Sequence, residues 1–248
     1  LARLIGAIVN GGGPGLGPNR SPNRSIEGLM LAFLGGTGPE GRGLALRLAL
    51  AGEEAVIGSR DQARASDAAA ELLQLAPGAR ITGQENAQAA SEAQVIFLAF
   101  PYEGQKPTLE QLGNSLGSRL DGKVVVDVIA PMTFQRGRGA SAVDVEAGSA
   151  AEEAQALLPG CQVVAAFQNV SAEELQDPGK NMDGDVVVCS DYSEAKALVM
   201  DLVLKIPELR PVDGGALANA KYVEQITPLL VNINRIHKIH AGIRIVGL

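Results

Sequence analysis

The stretch LAFLGGTGPEGRGLALRLALAGEEAVIGSR, Leu31 to Arg60, decides the fold. Its opening, LAFLG, is an apolar run of strand length. Gly36-Thr37-Gly38-Pro39-Glu40-Gly41 follows at once and satisfies G-x-G-x-x-G. PEGRGLALRLALAG then reads as a helix, with Pro39 near its start and Gly52 at its end, where helices favour those two residues. EAVIGS is a second strand. A glycine turn between a strand and a helix is the setting in which this motif binds a dinucleotide. The glycines let the backbone bend sharply and approach a pyrophosphate, and the helix N-terminus offers it free N–H groups and partial positive charge. Gly36, Thr37, Gly38, Pro39 and Glu40 are the residues expected there.

The end of the second strand selects the nucleotide. A site for NAD places an acidic residue about 20 positions on, against the ribose 2′-hydroxyl. Here the strand ends Gly58-Ser59-Arg60, with Arg64 one helical turn beyond. Serine can hydrogen-bond a 2′-phosphate, arginine can fork against it, and Arg60 and Arg64 can face one way on a helix. Ser59, Arg60 and Arg64 therefore predict NADP(H).

Outward from this stretch, strand-like runs (ARITG, QVIFLAF, GKVVVDVI, CQVVAAF, GDVVVCS) alternate with helical ones (DQARASDAAAELLQLA, with Asp61 as N-cap; QENAQAASEA; TLEQLGNSL; AEEAQALLPG; SEAKALVMDLVLKI). The strands are nearly continuous Val, Ile, Leu and Phe, as in a parallel sheet covered on both faces. The expected fold is α/β: a Rossmann-type, doubly wound, mostly parallel sheet with a small C-terminal helical part. Residues 1–29 read as an extension linked through GGGPGLGPNRSPNRS, with Met30 opening the domain. Residues 30–205 read as the nucleotide-binding domain and 206–248 as a helical cap or dimerisation part. QRGRGASAVDVEAGSA reads as a loop. LRPVDGG is a last short strand or turn, and ALANAKYVEQITPLLVNINRIHKIHAGI is a long helical pattern in which Pro228 predicts a kink or break.

Composition excludes several classes. The 248 residues are 46% hydrophobic and 20% charged with a net charge of -7, an ordinary globular balance that disfavours a nucleic-acid partner. No apolar run approaches the ~20 residues of a membrane span. The two cysteines, Cys161 and Cys189, sit in apolar runs and read as reduced core thiols, not as a disulfide or metal framework. His237 and His240 lack companion ligands, so no metal site is expected. Asn23-Arg24-Ser25 and Asn169-Val170-Ser171 match the glycosylation triplet with nothing else to suggest secretion. Tyr102-Glu103-Gly104-Gln105-Lys106 matches the Y-x-x-x-K proton-donor pair of short-chain dehydrogenases, but too early in the chain and without its serine. Phe100-Pro101 and Ala130-Pro131 lie at the carboxyl ends of strands, where open α/β sheets bind ligands, and read as walls for the nicotinamide. The chain contains no Ser-His-Asp set and no H-E-x-x-H, and hydride transfer between two organic rings needs apposition instead of an obligatory protein acid or base.

FLGGTGPEGRGLALRLALAG, VIGSRDQAR and LRPVDGGALANAKYVEQITPLLVNIN together resemble the NADPH-dependent reductases of the deazaflavin coenzyme F420, from about Met30 to the C-terminus. The resemblance implies a cytoplasmic homodimer that moves hydride reversibly between nicotinamide C4 and deazaflavin C5. It implies that Ser59, Arg60 and Arg64 hold the 2′-phosphate and that Phe100, Pro101, Ala130 and Pro131 line the nicotinamide. The deazaflavin would lie against Gln168, Asn169 and Val170 and the turn carrying Gly215, Leu217 and Asn219. Some relatives have a histidine at Gln168; glutamine can donate a hydrogen bond but cannot titrate. Two other readings keep the nucleotide and change the role: another small NADP-dependent Rossmann reductase, or a non-catalytic NADP sensor.

Overall fold

A computed structural model describes residues 28–248. The extension expected over 1–29, including the triplet at Asn23, lies almost wholly outside the described residues. Eight strands form one sheet in the order β10-β9-β8-β5-β4-β1-β2-β3. In chain order they are β1 (Met30–Leu34), β2 (Glu54–Ser59), β3 (Arg80–Glu85), β4 (Val95–Leu98), β5 (Val124–Asp127), β8 (Gln162–Ala165), β9 (Gly184–Cys189) and β10 (Leu209–Gly215). All neighbours are parallel except β8 and β9. This is the doubly wound, mostly parallel sheet expected. LRPVDGG, left between strand and turn, is the edge strand β10.

The helices are α1 (Pro39–Leu50), α2 (Gln62–Leu75), α3 (Asn86–Glu92), α4 (Gln105–Leu116), α5 (Ala150–Leu157), α6 (Ala172–Leu175), α7 (Ser193–Leu204) and α8 (Ala220–His237). They cover both faces, so the central strands are buried on both sides and carry two apolar clusters, one centred on Phe33, Phe97 and Phe167, the other on Leu98, Leu109 and Val125. Phe33 stacks on Phe97 with ring centroids 4.7 Å apart. Arg47 of α1 is buried and donates to the carbonyls of Glu174, Leu175, Asp177 and Lys180, tying α1 to the α6 loop. Those four acceptors satisfy a guanidinium that burial would otherwise make costly.

One expectation fails. The segment expected as a loop after Pro131 is an antiparallel hairpin, β6 (Met132–Gln135) with β7 (Gly139–Ala142). Its polar sequence hides the strand signal, because its edge is paired by a side chain: Asn232 of α8 accepts from the Ala140 N–H and donates to the Ala140 carbonyl, at 2.9 and 2.7 Å. At Pro228, where a kink or break is expected, the helix is not broken: α8 runs from Ala220 to His237 with the proline inside it. Tertiary contacts hold the helix before and after the proline, with Val223, Glu224 and Pro228 buried and Asn232, one turn beyond, bound to β7. The helical pattern also ends earlier than read. Lys238 takes the left-handed conformation (φ 56°) as C-cap, and the last residues run back to the sheet edge. There the Ile243 carbonyl accepts from the Asp185 N–H, and Asp185 accepts from Arg210 and the Ile245 N–H.

Candidate active site

Strand order reverses direction at β1 and β4, and the ligand crevice of an open α/β sheet lies beyond the carboxyl ends of such a pair. A cleft of about 1070 Å³ occupies that position. Single small-molecule sites occupy roughly 300–1,000 Å³, so this one has room for more than one planar ligand.

Its first wall is the glycine turn. Gly35, Thr37, Gly38, Pro39 and Glu40 line the cleft, and Gly36 lies just beneath. A Cβ on Gly41 would stand 2.6 Å from the Gly36 Cα, and one on Gly36 would stand 2.5 Å from the Phe33 carbonyl. Only glycines let the turn pack this tightly under the start of α1. The Gly36 and Gly38 amides are used within the turn, whereas those of Thr37, Glu40 and Gly41 have no acceptor among the described residues. Unpaired N–H groups at the start of a 12-residue helix fit a pyrophosphate.

The second wall is the end of β2. Ser59, Arg60 and Arg64 line the cleft together, as read from sequence. Asp61 lies between them, but its carboxylate caps α2, accepting from the Ala63 and Arg64 N–H groups at 2.8 and 3.4 Å. Neither guanidinium has an ion-pair partner among the described residues. Two uncommitted cations with no opposing carboxylate are what a phosphate monoester needs.

The opposite wall comes from three parts: the loops after β4 and β5, the loop after β8, and α8. Phe100, Pro101 and Ala130 line it as expected, while Pro131 is buried behind Ala130 and does not. Gln168, Asn169 and Val170 line it too, following Phe167, whose φ of 72° is strained for a fully buried phenylalanine. The Gln168 amide nitrogen, expected to face a ligand, instead donates to the Asp127 carbonyl at 2.8 Å. Asn169 likewise donates to the Asp185 carbonyl at 2.7 Å and is buried, which closes it to glycosylation. The third segment is a stripe on α8, Thr227, Leu230, Val231, Asn234 and Arg235, continued by Lys238 to Ala241. The Thr227 hydroxyl donates to the Gln168 carbonyl at 2.8 Å and seats the helix on the wall.

The turn Gly215–Asn219, expected against the deazaflavin, lies outside the lining of this cleft. Gly215 is paired to Cys189 at the sheet edge, the Leu217 side chain is buried and its N–H donates to Asp191, and Asn219 donates back to the Gly214 carbonyl. Three lining groups had no place in the sequence reading. Asn86, whose Oδ1 accepts from the Gly35 N–H at 3.4 Å, carries no motif. The α8 stripe was legible as helical spacing, and His240 is brought in by the returning tail, bridging Ser171 and Glu173. Tyr102 donates to Glu153 at 3.2 Å, and burial with Glu153 raises its phenol above the ordinary value, which makes it a poor acid; Lys106 is exposed on α4. Cys161 and Cys189 are buried free thiols. No group of three metal-ligating side chains occurs among the described residues, nor any helix long and apolar enough to cross a membrane.

Known proteins resemble the chain in the same terms. The model of the family described as "NADP oxidoreductase coenzyme F420-dependent" matches residues 30–131. The F420-dependent NADP reductase of Methanothermobacter marburgensis is 43% identical over 226 residues, 89% of this chain and 99% of that protein. That of Methanocaldococcus jannaschii is 39% identical over the same share of this chain. Among solved structures, a putative F420-dependent NADP reductase from Arthrobacter sp. FB24 superposes with a TM-score of 0.74 at 25% identity, covering 89% of this chain and all of that one. With such identity along nearly the whole of its length, the chain belongs to the family of F420-dependent NADP reductases.

Proposed function

We propose that this chain binds NADP(H) and the deazaflavin coenzyme F420 in the one cleft and passes hydride between them in either direction. The observation that carries the reading is the continuity of that cleft. It runs from the unpaired Arg60 and Arg64, past the open amides of the glycine turn, to Phe100, Ile129, Leu230 and Val231. In this reading Ser59, Arg60 and Arg64 hold the 2′-phosphate, the turn from Gly36 to Glu40 takes the pyrophosphate, and Phe100, Pro101 and Ala130 flank the nicotinamide. Gln168 to Val170 and the α8 stripe face the second ring. Nicotinamide supplies a hydride at C4, and the deazaflavin takes it at C5 with one proton from solution. The protein's work is to hold two flat rings in contact between apolar walls that keep water out. The tied-down amide of Gln168 shapes the floor without titrating.

Turnover tests this directly. Purified protein is expected to oxidise NADPH when F420 is supplied, read as bleaching of the oxidised deazaflavin band, and not with simple ketones, imines or free flavin. Equal consumption with a carbonyl compound and none with F420 would defeat the reading.

We also propose a homodimer built on α8. Tyr222, Leu229 and Ile236 recur every seven residues and are 63%, 56% and 65% exposed, a continuous apolar seam facing water. Phe134 of the adjoining hairpin is 69% exposed beside it. Such a stripe fits a second copy of itself across a two-fold axis. Residues 30–205 then hold the nucleotide, and 206–248 close the cleft and join the copies, with β10 contributed to the sheet. Leu229→Glu with Ile236→Glu is expected to give a monomer by sedimentation velocity at micromolar concentration where the parent is dimeric. A parent that is itself monomeric would sink the proposal. A cytoplasmic location accords with two buried thiols kept reduced.

A further inference from the structure

The start of α1 lacks one donor at the place where it faces an anion. Its N-cap is Gly38, which has no side chain to cap with, and Pro39 at the first position has no N–H. Beside this gap stands the Glu40 side chain, which lines the cleft. Its Oε1 is buried and has no partner among the described residues. An ionised carboxylate there would be unpaired, poorly hydrated, and set against the phosphates of any nucleotide on the turn. A neutral carboxyl removes the repulsion and puts one O–H donor where the proline removed an N–H.

We propose that Glu40 is a proton-loaded hydrogen-bond donor to the phosphates of the bound nucleotide, so that NADP(H) binding is linked to that proton and weakens when it is lost. The inference rests on the reading above that the nucleotide lies on the glycine turn. Burial alone pushes the carboxyl up to about 8, which keeps it mostly protonated at neutral pH. The charged neighbours on the elements packed against α1 are otherwise engaged or too far to contribute. Arg42 on α1 pairs with Glu71 of α2. Asp61 caps α2, and Arg64, which also lines the cleft, does not perturb Glu40. Glu173 and Glu174 of the α6 segment pair with His240 and Lys180. Glu54 of β2 and Arg80 and Glu85 of β3 lie outside the cleft, and Arg60, Tyr102 and Lys238 line it without perturbing Glu40. A phosphate arriving beside the carboxyl adds negative charge and binds the proton more tightly still.

Calorimetric titration of the full chain with NADP+ between pH 7.5 and 9.5, each point in two buffers of different ionisation enthalpy, tests this. The range lies above the second ionisation of a phosphate monoester, about 6, so the ligand's charge stays constant. Parent protein is expected to bind about 25-fold more weakly at pH 9.5 than at 7.5 and to take up a proton on binding above pH 8, the slope required when a group near 8 must be protonated in the complex. Glu40→Gln, a neutral donor at every pH, is expected to show neither the weakening nor the uptake. Glu40→Leu is expected to be equally flat and weaker than Glu40→Gln throughout. The same slope in parent and Glu40→Gln, or no proton uptake by the parent, overturns the proposal and leaves the nucleotide site standing. Failure of all three proteins to bind NADP+ at any pH overturns both.

Discussion

Replacing Arg60 and Arg64 together with alanine is expected to lower kcat/KM for NADPH by at least about a hundredfold, while the low activity with NADH changes less than about threefold. The asymmetry follows from where the two side chains stand. Both line the cleft at the end proposed for the adenosine, neither is neutralised by a protein carboxylate among the described residues, and the neighbouring acid, Asp61, is committed to capping α2. Their charge is free for a ligand, and the group that distinguishes the two nucleotides is a phosphate. One charge-assisted contact of this kind contributes about 1.5–3 kcal/mol, and 1.4 kcal/mol is tenfold in affinity. Two contacts to one phosphate are not strictly additive, so the hundredfold takes the pair at about 3 kcal/mol in total, the lower value for each contact. Arg60→Ala alone should cost NADPH roughly ten- to a hundredfold. Raising ionic strength should erode the preference of the parent and leave the double variant unaffected, because these cations are exposed and screened. Equal losses for both nucleotides would mean that the arginines support the fold or the pyrophosphate, and the 2′-phosphate assignment would fall.

The nucleotide end was legible because it is local. Leu31 to Arg64 contains a strand, its turn, a helix and the next strand in unbroken order, and apart from Asn86 the residues named at that end are fixed by backbone geometry within those elements or by the spacing of the arginines. The facing wall was only partly legible, because its parts are assembled from distant segments. Gln168 to Val170 could be placed by resemblance, but not the direction of the Gln168 amide, which depends on the Asp127 carbonyl 41 residues away. The returning tail could not be read, since it is anchored by Asp185 and Arg210, whose partners Ile243, Ile245 and Leu248 look like any frayed terminus in sequence. The hairpin β6–β7 was missed for a related reason: its edge is satisfied by the Asn232 side chain, and a polar, glycine-rich stretch shows no sign of a partner 92 residues away. The turn after β10 was placed in the site because it carries family-like residues, yet the sheet edge holds it apart from the cleft.

Stability is expected to be greatest near pH 4 and to fall by several kcal/mol by pH 8, an unusual slope for a chain with a net charge of -7. Three raised carboxyls set it: Asp127 and Glu224 are buried, and Glu40 is half-buried beside the cleft. Burial pushes Glu40 to about 8. Burial also pushes Glu224 to about 7, against the downward pull of the Ala150 and Ala151 amides it caps at the start of α5. Asp127, fully buried with Oδ2 unpartnered, is raised well above its ordinary value by burial and then by Glu224. Each binds its proton more tightly folded than unfolded. Each therefore contributes stability that is complete below the unfolded value and is lost as pH rises through the folded one. For Glu224, passing from 4.5 to about 7 corresponds to about 3 kcal/mol. Asp185 acts in the opposite sense. Arg210 and the Ile245 N–H hold it at about 2, so its contribution is present above 3.8 and is lost only as pH falls towards 2. Between these limits the optimum lies at acid pH. Urea unfolding at pH 5 and pH 8, at one ionic strength, measures the slope. Asp127→Asn separates its cause: the amide keeps the acceptor for the Ile129 N–H but carries no proton to lose. It should stabilise the protein at pH 8 and make little difference at pH 4. A parent that is most stable at pH 8, or an asparagine variant no better there than the parent, would mean that these carboxyls ionise in the folded state, with water or a cation reaching them beneath the cleft.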